Sequence, residues 1–173
     1  MALCDWGYDK GPVVADYGFF RQGLPRLLSE EDPTRFYQPS SPFSPDGMHP
    51  NRDDMGNQHP WSVGMKNTDF RDYRRMICRF ASEGGTLGPT ALPTMLACLP
   101  EDQRSVASFA WQIHDNAMAT AEEPSPPDEM IRQWLGLDPR AMSIEEFTYW
   151  AGLIHGEALR EYCDNFRRRM FDS

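Results

Sequence analysis

Eight of the fifteen prolines lie before residue 66, together with seven of the thirteen glycines. Proline locks its own φ, lacks a backbone donor, and biases the residue before it toward extended conformations. The first third of the chain therefore runs as turns and polyproline-like segments, with one short helix expected around "LPRLLSEED", residues 24–32. A flexible linker would be rich in Gly and Ser, whereas this segment carries Trp6, Tyr8, Tyr17, Phe19, Phe20, Phe36, Tyr37, Phe43 and Trp61. Each large aromatic can bury about 150–250 Å². Residues 1–66 are thus expected to form a long irregular arm, rich in Pro, Gly and aromatics, that lies on something.

After residue 66 the pattern becomes helical, and the expected fold class is mainly α. A small body of four to five helices spans residues about 68–171 within a unit covering 67–173. Phe70, Tyr73, Ile77 and Phe80 recur at helical spacing and predict an amphipathic helix over about 68–82, stopped by Gly84 and Gly85. A short apolar segment follows at 90–98. Pro100, Glu101 and Asp102 then open a stripe of Val106, Phe109, Ala110, Ile113 and Ala117. Ser125 with Asp128 forms a capping box before a short helix that buries Met130 or Ile131 and Trp134 and ends at Gly136. Ser143 with Glu146 forms a second. Beyond it Phe147, Trp150, Ala151, Ile154, Ala158, Tyr162, Phe166 and Met170 keep one face to the end of the chain. Arg167, Arg168 and Arg169 fall where cations complement the helix dipole, so capping explains them better than a binding patch.

The 26 acidic and 17 basic residues give a net charge of −9, which disfavours nucleic acid as a partner. Arginine outnumbers lysine fifteen to two, a bias that suits bidentate and stacking contacts with protein. The four cysteines, Cys4, Cys78, Cys98 and Cys163, have no metal-finger or redox spacing, and no Asn-x-Ser/Thr acceptor is present. Free thiols in an intracellular, reducing compartment are expected, with organelle and virion not distinguished. The N-terminus lacks signal-peptide character, and no apolar run reaches the roughly 18–20 residues of a membrane span. Peripheral membrane contact stays open.

The stretch "PSSPFSPDGMHPNRDDMGNQHPW", residues 39–61, offers the best donor set for a cation: His49, His59, Asp46, Asp53 and Asp54. Each histidine precedes proline in a loop with no rigid element to orient it, so a docked or solvated loop is expected rather than a metal centre. His114 and His155 sit on predicted helices without a carboxylate in the same turn, and read as core or interface histidines. No nucleophile elbow, phosphate loop or dinucleotide fingerprint occurs, and no cofactor is expected. "EGGTLGPT", which contains Glu83, reads as a helix stop and loop.

The expected function is a non-catalytic accessory or structural subunit of a larger protein assembly. Other subunits would be gripped by Trp6, Tyr8, Phe19, Phe20, Phe36, Tyr37 and Trp61, with polar contacts from Arg21, Arg26 and Arg35. A metal-dependent hydrolase using the His49/His59 loop is one alternative. A second comes from "WLGLDPRAMSIEEFTYW", residues 134–150, which is similar in rhythm to the Leu-Gly-Leu-x-Pro and Ser/Thr-x-x-Glu stretch of some phage tail assembly chaperones. That resemblance covers about a tenth of the chain. It implies a transient chaperone or adaptor that exposes Trp150, Ile154, Ala158 and Tyr162 on its last helix.

Overall fold

The computed structural model describes residues 18–44, 51–65, 67–114 and 125–170, and within them the chain is mainly helical, as expected. It divides into two compact units. The first joins the described residues up to Pro60 with 77–84 and 169–170, and the second holds Trp61–Met76 and Gly85–Arg168. Trp6, Tyr8, Asp46, His49 and Ala117 lie outside the described residues.

In the first unit a π-helical turn, Phe19–Gly23, runs into helix α1, Leu24–Glu31, close to the expected short helix. Pro25 sits where the π-helical turn passes into α1. The Asp32 N–H closes α1 on the Leu28 carbonyl at 2.8 Å. Beyond it the chain is irregular, crosses a cis peptide at Ser41-Pro42, and is tied together by isolated bridges rather than a sheet. Phe43 pairs antiparallel with Asn57, and Gln58 pairs parallel with Ala81. Gln58 is buried and works as a hub. Its Oε1 accepts from the Cys78 thiol at 2.8 Å and the Phe80 N–H at 2.9 Å, and its Nε2 donates to the carbonyls of Arg52 and Met55. Buried amides must find partners; the first two contacts hold residues 51–60 against 77–82 and the other two close the 52–58 loop.

The second unit contains α2 (Leu92–Cys98), α3 (Phe109–His114), α4 (Pro126–Leu135) and α5 (Ile144–Arg168). Its main core joins Leu99, Val106, Trp111, Met130, Ile131, Ile144, Phe147, Ala151 and Ile154. The Ser143–Glu146 box opens α5 as the sequence predicts: Ser143 N–H donates to the Glu146 carboxylate at 2.9 Å and Glu146 N–H to Ser143 Oγ at 3.1 Å. Ser125 caps α4 without a side-chain bond, so the first box is not formed there; Pro126 supplies the helical start instead. Gly136 ends α4 at φ +67°, a conformation that favours glycine.

Two expectations are corrected. The helix over 68–82 is a 3₁₀ turn, Phe70–Arg75, followed by extended chain from Met76. In a 3₁₀ turn residues three apart eclipse, which aligns Phe70 and Tyr73 with Met76. Tyr73 is fully buried with Val63 and Ala158, meets Tyr162 edge-on at 5.2 Å, and Phe70 stacks on Trp134 at 4.1 Å. Ile77 and Phe80, expected on the same face, are exposed. The other correction concerns α3, where Trp111 rather than Phe109 and Ile113 turns inward, meeting Phe147 edge-on at 5.0 Å. Ala110, expected in the stripe, packs half-buried against the same core. The stripe that a chaperone would expose on α5 is packed within this unit, with Ile154 and Ala158 buried and Trp150 and Tyr162 half-buried.

Candidate functional site

Of the expected metal donors, Asp46 and His49 lie outside the described residues. Asp54 is exposed and paired with Arg52, whose guanidinium hydrogen bond holds its carboxyl below the usual range; Asp53 is exposed. Among the described residues no three His, Cys, Asp or Glu side chains gather where a cation would sit. The expected aromatic anchors are spread out. Phe36 is 85% exposed and Phe19 55%, Phe20 meets Phe19 edge-on, and Trp61 is half-buried in the second unit. Arg26 pairs with Glu30 and Arg35 with Asp32. Arg21 and Tyr37 line an open cavity of about 350 Å³ with Pro25, Pro39 and Phe43, and the Tyr37 hydroxyl donates to the Phe20 carbonyl at 2.9 Å.

His59 does occupy a built site, with partners that spacing does not reveal. Its Nδ1 lies 2.7 Å from Glu83 Oε2 and its Nε2 2.8 Å from Ser41 Oγ. Behind Ser41 stands Asn57, whose Nδ2 donates to Ser41 Oγ at 2.8 Å and to Ser82 Oγ at 3.0 Å. Asn57 Oδ1 in turn accepts from Gln38 Nε2 at 3.0 Å. The backbone of His59 is clasped by the Asn51 amide, which accepts from its N–H and donates to its carbonyl. The two bridges at Asn57 and Gln58 bring these residues together, since they put the Ser41 turn and the Ser82-Glu83 loop on either side of His59.

Burial gives the row of side chains a direction. The His59 side chain is 11% exposed and that of Glu83 is 53% exposed, while Asn57 is buried. Burial pushes the His59 pKa down, and the nearby Glu83 charge only partly opposes this. Ser41, His59 and Glu83 have the order of a hydrolytic serine triad, but the accessible end is reversed. A triad buries its acid and presents its serine. Here Ser41 Oγ is taken by His59, Asn57 and, at 3.1 Å, Ser82, and the carboxylate faces outward. The group presented for chemistry is Glu83. Cys78 does not compete as a nucleophile, because burial first of all raises its thiol to about 11.

The depressed His59 pKa has a consequence for stability. A proton binds the unfolded histidine, near pH 6.5, before it binds the folded one, so stability is full above that pH and declines as pH falls toward the lower folded value. Thermal melts between pH 7.5 and 5 should show this decline, with a shallower slope for His59→Gln. The paired carboxylates Asp54, Asp69 and Glu161, held low by their arginines, lose their contribution only at more acid pH.

No protein-family model matches the chain, and no curated protein does. Among solved structures it is similar to the β-D-mannosidase of Dictyoglomus thermophilum, at 26% identity and a TM-score of 0.75. The likeness covers 88% of this chain and 18% of that one, so this chain spans about a fifth of the length of the mannosidase.

Proposed function

We propose that this chain contributes a catalytic carboxylate, Glu83, to the hydrolysis of β-D-mannosides. The observation that carries the reading is a half-exposed carboxylate at the outer end of an ordered polar row, in a chain whose fold is similar over most of its length to a β-D-mannosidase. Glycoside hydrolysis uses two carboxyl groups: one donates a proton to the leaving oxygen, the other attacks the sugar or activates water. His59 donates to Glu83 through Nδ1–H in the reading that makes the exposed carboxylate an acceptor. Glu83 would then serve as nucleophile or base, and the proton donor would be a carboxyl group outside this hydrogen-bonded row. The test is release of nitrophenol from p-nitrophenyl β-D-mannopyranoside by the wild-type chain and by Glu83→Gln, with sugar binding followed in parallel by ligand-observed NMR. A wild-type chain that neither turns over nor binds the mannoside would overturn the reading.

A second reading, a non-catalytic accessory subunit docked through its N-terminal segment, is favoured by the exposure of Phe36, Phe19, Ile77 and Phe80 in the first unit. Large exposed apolar side chains are ones that another protein can cover. A native pull-down with sizing should then recover a stoichiometric partner that Phe36→Ala releases. A monomer with only trace companions would count against it.

A further inference from the structure

The hydrogens along the row of side chains have few places to go. With the Glu83 carboxylate as acceptor, the proton of a neutral His59 sits on Nδ1. Nε2 is then an acceptor and must receive the Ser41 O–H, 2.8 Å away. That hydroxyl has a single proton. Having given it to His59, Ser41 Oγ accepts from Asn57 Nδ2, and the Asn57 amide is held in the matching orientation by Gln38, whose Nε2 can only donate, to Asn57 Oδ1. Donation therefore runs one way, from Gln38 through Asn57, Ser41 and His59 to Glu83, over separations of 3.0, 2.8, 2.8 and 2.7 Å. Polar chains of this kind strengthen one another and hold a unique arrangement when every member is satisfied.

We infer that Ser41 and His59 are positioning residues that hold the Glu83 carboxylate in one orientation for reaction, with Asn57 and Gln38 setting the direction of donation. Their catalytic meaning and the direction of donation rest on the reading of Glu83 as the accepting carboxylate; the contacts themselves do not. Ser82 adds a branch, since its hydroxyl meets Ser41 Oγ and the Gln58 carbonyl at 3.1 and 3.3 Å. Asn57 is buried and Gln38, Ser41 and His59 are half-buried, whereas Glu83 is exposed, so their service to the reaction passes through the carboxylate.

The experiment is ¹⁵N NMR of the histidine rings in the full chain at pH 7.5, joined to ¹³C detection of the Glu83 carboxyl. Wild type should show His59 with Nδ1 protonated and Nε2 bare. Ser41→Ala should shift the Glu83 carboxyl signal, and Ser41→Thr, which keeps the hydroxyl, should restore it. A His59 ring protonated on Nε2 in the wild type overturns the proposal without any variant having to fold, as does a Glu83 signal indifferent to Ser41→Ala. Turnover supplies the separate arm. Ser41→Ala should lower kcat on aryl β-mannosides about 10–100-fold with little change in KM, the scale expected when a reacting group is displaced by a fraction of an ångström to about 1 Å. The correct ring tautomer with no mannoside turned over in the wild type would refute the glycosidase reading alone; the correct tautomer with turnover that Ser41→Ala leaves unchanged would refute positioning alone.

Discussion

On the proposed function, Glu83→Gln should lower hydrolysis of an aryl β-D-mannoside by about 10²–10⁴-fold, the range that one acid–base side chain contributes. The substitution is nearly isosteric and the site is half open, so the fold is expected to tolerate it. The glutamine can still accept from His59 Nδ1–H through its carbonyl oxygen, and its NH₂ group replaces the outward oxygen. What would disappear is the negative charge that the proposed role needs, either to attack the anomeric carbon or to take a proton from water. The loss should therefore appear in kcat, with KM and the melting temperature close to wild type. A variant with unchanged kcat would move the chemistry away from Glu83. A loss accompanied by a large fall in melting temperature would instead report unfolding.

Gly56→Ala should be the most damaging single change in the first unit. Gly56 has φ +68°, where an alanine costs about 1–2 kcal/mol. Its added Cβ would also stand 1.7 Å from the Phe43 carbonyl oxygen. That oxygen is the one that accepts the Asn57 N–H in the Phe43–Asn57 bridge, so the backbone must part there. Overpacking against backbone adds about 1–3 kcal/mol. Asn57 follows Gly56 and donates to Ser41, so the row leading to Glu83 loses its base as well. Gly136→Ala is the control: its φ is +67° and nothing lies within 4 Å of an added Cβ, so it pays for the backbone conformation alone. Thermal melts of the two variants separate clash from strain. Equal losses would show that the Phe43 carbonyl yields freely.

The unequal legibility of the chain has a local cause. The Ser143–Glu146 box, the glycine stop at Gly136 and the apolar stripe of α5 were readable because each involves residues within a few positions, where a helix brings them together by its own geometry. The short helix at 24–32 was readable for the same reason. The failures came where a distant partner overrode a local period. Ile77 and Phe80 keep helical spacing, yet pairing of Phe80 with Gln58 draws that segment into extended chain within the first unit. Of the site, the sequence points only to His59, and as a metal donor. Glu83 read as part of a loop, and Ser41, Asn57 and Gln38 carried no motif.

The amino-acid order by itself determined a mainly helical chain, the caps and stops of its helices, and a proline-rich segment unable to form long helix or central strand, because these follow from φ restriction and short-range periodicity. The tertiary structure alone decided where the polar groups meet. Ser41 and Glu83 are joined through His59 across separations of 18 and 24 positions, and two backbone bridges set that encounter. A hydrogen bond depends on position and direction in space, and loop closure over such separations leaves no period in the sequence to read.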